Sequence, residues 1–203
     1  MVLALVLLVM VAGAFSQSMV SKRERPEKEK KDYPKSLADY GVYKDLVMEV
    51  EAYRAERLVD LETFIEMSQD SNALILDTRT KEHFERKHIK GSVHLEFANF
   101  TQGELGKLIP QLSNKKILIY CNNNFVGDQI DFATKSVIPM PLQAKSSSFS
   151  NPRSTVTEGP VGLALNIPTF INLYGYGYRD IYELGELVNV NDARITFEGT
   201  EVN

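Results

Sequence analysis

The single cysteine, Cys121, heads the run Cys121-Asn122-Asn123-Asn124-Phe125-Val126. Just before it, Lys116-Ile117-Leu118-Ile119-Tyr120 is a continuous apolar run flanked by charge, the pattern of a buried central strand. In open α/β sheets ligands bind at the carboxyl ends of the strands, and the thiol falls there. Asparagine tolerates turn geometries that point successive N–H groups inward. A thiol facing such groups has its thiolate stabilised and its pKa lowered, which makes Cys121 a candidate nucleophile. The competing reading is a buried, inert thiol, since free cysteine is among the most buried residue types. Position alone leaves the two readings even.

Other chemistry is thinly supplied. His83, His88 and His94 are spaced so that no two rings share a helical face, and a zinc site needs three or four converging ligands. One cysteine excludes an internal disulfide and a cysteine-based zinc cluster. Nothing in the sequence calls for a metal or a cofactor. Gly175-Tyr176-Gly177-Tyr178 follows a helical pattern instead of opening one, which argues against a phosphate-binding loop. With 23 Lys+Arg against 27 Asp+Glu, the net charge of −4 gives no electrostatic case for nucleic acid.

The elements that must position the thiol alternate along the chain. Arg57–Val59, Ala73–Leu76, Val93–Leu95, Lys116–Tyr120 and Ile181–Leu184 read as strands. Asp60 can cap a helix carrying Leu61, Phe64, Ile65 and Met67 inward, and Thr80 can cap a helix from Lys81 to Lys87. Leu105 to Leu112 reads as a short helix. Asn166, with Pro168 just inside, starts another through Leu173, which Gly175 and Gly177 stop. This alternation predicts an α/β fold, a mainly parallel sheet of about five strands flanked by helices on both faces.

Ahead of this body, Val2 to Phe15 is an uncharged, nearly all apolar run of 14 residues. As a helix it would rise about 21 Å, short of the roughly 30 Å hydrocarbon core. With the small-residue exit that comes after it, residues 1–18 read as a signal peptide. The expectation is a secreted or periplasmic protein with no stable membrane span after cleavage; a start at Met19 would leave it cytoplasmic. Residues 19–36 read as a charged linker. Ser21 to Lys35 holds seven basic and four acidic residues, which leaves −7 on the rest of the chain. From 37 to 56, apolar residues at Leu37, Tyr40, Tyr43, Leu46, Val47, Val50 and Tyr53 keep a period near 3.6, an amphipathic helix packed on the domain.

Leu74-Ile75-Leu76-Asp77-Thr78-Arg79, then Glu82 and Phe84, then His88-Ile89-Lys90-Gly91-Ser92, closely resemble the first signature of rhodanese domains. Lys87 stands where that signature has a glycine. Lys116 to Cys121 resembles the strand entering the rhodanese active loop. Gly177 to Gly185 resembles the closing segment, with Glu186 in place of its second glycine. The resemblance spans Arg57 to Val190 and implies a rhodanese-like domain over 57–203. It further implies a cysteine that carries sulfur as a persulfide and passes it to cyanide or a thiol. Asp77, Arg79 and His88 would be chiefly structural. The resemblance implies that the loop from Cys121 to Val126 surrounds the sulfane sulfur, with Asn122 to Phe125 as its cradle; the usual loop closes with arginine five residues after the cysteine, and here that position is Val126.

Counting back from Gly177 by the family spacing lands near Leu165 and Asn166, so residues from Val126 to about Ala164 read as an insertion inside the active loop. Its segment Ile138–Leu142 is apolar enough to pack over the thiol, and Arg153 or Lys145 are candidates to replace the arginine. Asn166, at a helix start, would add positive dipole to the site. Two functions are open to such a chain. One is an exported sulfurtransferase taking a small sulfur-containing donor and a thiol acceptor. The other is a non-catalytic module of the same family that binds an unknown protein or a small anion.

Overall fold

Strand-forming runs separated by capped helices leave the chain one economical arrangement, a parallel sheet with its crossovers laid on either face. The computed structural model describes residues 36–110, 114–136 and 164–202, with Pro34 and Gly162. Among the described residues, every helix and strand belongs to the unit Ala38–Asn203. Residues 1–18, most of the linker at 19–36, Ile138–Leu142, Lys145 and Arg153 lie outside the described residues.

In chain order the elements are α1 (Tyr40–Ala55), β1 (Leu58–Val59), α2 (Leu61–Ser68), β2 (Ala73–Asp77), α3 (Lys81–Arg86), β3 (His88–Ile89), β4 (Val93–His94), α4 (Gln102–Leu108), β5 (Lys116–Tyr120), β6 (Phe125–Val126), α5 (Asn166–Gly175), β7 (Ile181–Leu184), β8 (Val188–Asn189) and β9 (Phe197–Glu198). Five strands form one sheet in the order β1-β7-β5-β2-β4. Every pairing in it is parallel, with Asp77 beside Tyr120 and Ile119 beside Glu183.

Side chains alternate along β5, as the two-residue repeat of a strand requires. Ile117 and Ile119 join Leu76, Ile181 and the helices α1, α4 and α5 in one core; Leu118 and Tyr120 join Ile75, Leu184, α2 and the chain's C-terminal segments in another. The expected α/β fold with helices on both faces is the observed one.

Helix starts follow the caps. The Asp60 carboxylate accepts from Thr63 N–H at 2.9 Å, and the Thr80 hydroxyl caps His83. α4 begins earlier than the apolar pattern suggests, because the Thr101 hydroxyl accepts from Glu104 N–H. It ends at Leu108, since Ile109 precedes Pro110 and takes an extended conformation. In α1, Val50 is buried and Leu46, Val47 and Tyr53 pack on the core, but Tyr40 and Tyr43 are exposed. The apolar stripe of that helix runs one turn beyond what the domain covers.

The N-terminus of α5 is held from two sides. Glu183, buried in β7, accepts from Arg54 Nε at 2.6 Å and from Asn166 Nδ2 at 2.6 Å, and pairs also with Arg54 Nη2. The hydroxyls of Thr78 and Thr169 meet at 3.0 Å, tying α5 to the end of β2. Arg54 is thus the counter-charge of a buried carboxylate. Removing one partner of such a pair leaves a charge without compensation. Arg54→Met is expected to lower stability by about 2–4 kcal/mol in urea denaturation, and Glu183→Gln, which keeps an acceptor for Asn166, to cost less than Glu183→Ala.

Candidate functional site

Cys121 sits one residue beyond β5 in extended backbone, at φ −151° and ψ 176°. Residues 122–124 then make a single 3-10 turn. The Cys121 N–H donates to Asn124 Oδ1 at 2.9 Å, and Asn124 Nδ2 donates to the Leu184 carbonyl at 2.6 Å. Asn124 is therefore a buried strut between the thiol's own backbone and β7.

The cradle is made in two pieces. The backbone amides of Asn122 and Asn123, and those of Leu165 and Asn166 at the start of α5, act on the Cys121 thiol and favour its charged form. These pieces are separated in sequence by the insertion. The second lies where counting back from Gly177 places the end of the family loop. Asn166 takes part through its backbone, its side chain being turned to Glu183.

The remaining predicted loop residues are elsewhere. Phe125 is buried against Tyr120, Phe132 and Phe197, with ring centroids 5.9, 4.4 and 5.4 Å away. Phe125 and Val126 form β6, paired in parallel with Val188 and Asn189 of β8. Phe125, expected in the cradle, and Val126, at the loop's closing position, thus lie in a strand. A contiguous loop would have turned them back toward the sulfur, but the insertion releases the chain after Asn124 to pair with β8 instead.

Beside the thiol lies a cavity of about 90 Å³, lined by Arg79, Thr80, His83, Cys121, Asn122, Asn123, Ala133, Lys135, Ala164 and Leu165. That is several times the roughly 10–15 Å³ one water needs, and accommodates an added sulfur atom with a small group beyond it. Cys121 itself is only 4% exposed. Burial pushes its thiol above the ordinary range, while the amides of Leu165, Asn122, Asn166 and Asn123 pull the other way. The expected lowering of the thiol pKa is thus reversed: loss of water outweighs the four N–H groups.

His83 and Lys135, which no sequence motif singles out as ligands, are on the cavity wall. His83 occupies the first turn of α3, the helix that follows β2, with its Nδ1 2.7 Å from the Thr80 hydroxyl. Its position after a strand's carboxyl end is the one available signal. Lys135 has none beyond lying in the insertion. His88 is engaged structurally, through the Phe84 carbonyl at 2.6 Å and Glu198 at 3.2 Å.

Arg79 also lines the cavity, yet every nitrogen it has is bonded within the protein. Nε and Nη2 donate to Asp77, Nη1 to Asn122 Oδ1 and the Asp131 carbonyl, and Nη2 also to the Lys87 carbonyl. It braces the site without offering a donor to a ligand. Asp131 belongs to the first stretch of the insertion, which Arg86 and Lys87 fasten to α3 through ion pairs to Asp131 at 2.6 Å and Asp128 at 3.0 Å. Asn122 Nδ2 donates to the Ala133 carbonyl at 3.0 Å. The start of the insertion is thereby laid across the thiol's turn.

Residues 60–136 match the family model of the Rhodanese-like domain. The motifs that resemble rhodanese domains from Leu74 to Cys121 fall within that stretch. The BH2092 protein from Bacillus halodurans is a similar solved structure, 13% identical, with 78% of this chain and 88% of that chain covered and a TM-score of 0.43. No curated protein matches the chain.

Two measurements check this geometry. Alkylation of Cys121 by neutral iodoacetamide is expected to rise about tenfold per pH unit from pH 7 and to be climbing still at pH 9, because a raised pKa keeps the thiolate fraction small until then; a plateau below pH 8 would contradict it. Phe125→Ala is expected to lower stability by about 3–5 kcal/mol in a denaturant melt, the loss of a core aromatic.

Proposed function

We propose that the domain transfers sulfane sulfur through a persulfide on Cys121. The observation that supports this most directly is a thiol that borders a small cavity and whose negative charge four backbone amides favour. Such groups hold negative charge on sulfur in whichever form the charge arrives.

In the first step the Cys121 thiolate attacks the sulfane sulfur of a donor. The donor's S–S bond breaks, and its leaving group, sulfite or a thiolate, departs with the bonding pair. Cys121–S–S⁻ remains. In the second step an acceptor thiolate or cyanide attacks the outer sulfur, and the pair of the breaking S–S bond returns to Cys121 as thiolate. Sulfur is handed on with no net oxidation and no cofactor.

The Asn122, Asn123, Leu165 and Asn166 amides would stabilise the charge at each stage, and burial would guard the loaded sulfur from water and oxidants. The apolar run at residues 2–15 supports placing this chemistry outside the cytoplasm, where an exposed lone thiol would be oxidised. Absence of a ligand-binding arginine at position 126 favours the alternative, a module that binds without turning over.

The two readings separate in one experiment. After incubation with thiosulfate or a low-molecular persulfide, intact-mass spectrometry is expected to show one added sulfur on the wild-type protein and none on Cys121→Ser. Addition of cyanide should discharge it as thiocyanate. No adduct with any donor would leave the binding module.

A further inference from the structure

A cradle for the sulfur does not by itself hold the rest of a donor, which carries charge at its far end. Among the described residues no arginine is free to do so. The position the family motif gives to arginine is Val126, in β6, and Arg79, on the cavity wall, has its nitrogens bonded to Asp77, Asn122, Lys87 and Asp131. Yet the cavity is built to attract an anion. Four backbone amides act on the thiol at its wall to favour negative charge, and no aspartate or glutamate is among the described residues that line it.

One cation on the wall is uncommitted. Lys135 lines the cavity, is exposed, and makes no ion pair with a carboxylate among the described residues. Its backbone is placed by the fold on both sides. Two residues earlier the Ala133 carbonyl is bonded to Asn122. From the far end of the insertion Gly162 packs so closely that a Cβ there would lie 2.8 Å from the Lys135 carbonyl oxygen and 2.7 Å from Ser136 Cα. Gly162, from the far end of the insertion, thus meets the backbone at Lys135, and Lys135 lines the thiol's cavity.

We propose that Lys135 holds the anionic end of a small sulfur donor at the mouth of the Cys121 cavity, supplying the charge that the loop arginine supplies elsewhere in the family. The proposal rests on the reading of Cys121 as a sulfur carrier. It names the donor class: a small molecule with an anionic leaving group, either a sulfur oxyanion such as thiosulfate or the persulfide of a low-molecular thiol. Lysine suits this as a point charge on a flexible stem, where a guanidinium would demand a planar partner.

The test uses the full chain and two reagents of like size, iodoacetate and iodoacetamide, which differ in charge. Lys135→Met is expected to lower the ratio of their labelling rates at Cys121 about three- to tenfold, the effect of one unit charge a few ångströms away under surface screening. Lys135→Arg should retain the ratio, and in Lys135→Met the iodoacetamide rate should fall less than the iodoacetate rate, since loss of the charge lowers the thiolate fraction for both reagents alike. Sulfur loading from thiosulfate, and in a separate arm from glutathione persulfide, should slow by a similar factor at low donor concentration and recover at saturation. A sulfur-loading effect in one arm alone identifies which donor Lys135 serves. An unchanged reagent ratio overturns the proposal, and so does failure of both reagents to label the wild-type thiol. A lowered ratio with no sulfur adduct from either donor supports the charge at the mouth and refutes the sulfur-carrier reading.

Discussion

A guanidinium buried away from water must find an acceptor for each N–H it carries, and Arg79, 1% exposed, meets that demand by drawing four parts of the chain to one point. Its acceptors come from the end of β2, the end of α3, the turn after Cys121 and the insertion. Asp77 balances the charge, and the Tyr120 hydroxyl bonds the same carboxylate from the neighbouring strand. The rings of Phe132 and Tyr120 lie under the cation at 4.6 and 5.5 Å. Desolvation of this pair is tolerable only because the polar atoms around it are matched, and the matching fixes where Asn122 and Asp131 must be. The thiol's turn inherits its position from that requirement.

The departures from the rhodanese pattern form a related set when their contacts are considered together. Lys87, in place of a glycine, reaches Asp128 of the insertion. Glu186, in place of another, accepts from Leu61 N–H at 2.7 Å at the start of α2 and pairs with Arg194 at 3.5 Å. Val126, in place of arginine, pairs with Asn189 in the β6–β8 ladder. Two of the three sit where the insertion leaves or crosses the domain. They are what a chain requires once its loop no longer closes on itself.

The same contacts account for which features are legible in the sequence. The central strands β2 and β5 announce themselves because buried parallel strands carry continuous apolar runs, and Asp60 and Thr80 mark helix starts because their side chains accept from the first free N–H groups. Cys121, Asn122 and Asn123 are placed by adjacency to β5. Phe125 and Val126 mislead because the next residues of a loop are expected to continue its ring, and nothing in two residues reveals that they will pair with Val188 and Asn189. The second half of the cradle is found by distance along the chain from Gly177, not by residue type, since backbone N–H groups leave no mark in sequence. Lys135 is invisible for the opposite reason. Its neighbours in sequence are ordinary, and only the fold shows that it lines the cavity, where Gly162 meets its backbone.

The raised thiol and the four amides look contradictory only if the resting thiol is taken as the state for which the site is shaped. Burial penalises a charge wherever it sits in the cavity, whereas oriented N–H groups reward charge most when it lies at their focus. A neutral resting thiol is protected by the first effect and gains little from the second. In the proposed transfer, charge brought by a donor would meet the amides of Leu165 and Asn166 together with those of Asn122 and Asn123, which would work against the loss of water. Splitting the cradle between two segments makes that balance depend on how α5 is held. Arg54, Glu183 and Asn166, well away from the sulfur in sequence, thereby belong to the energetics of the site as much as to the stability of the fold.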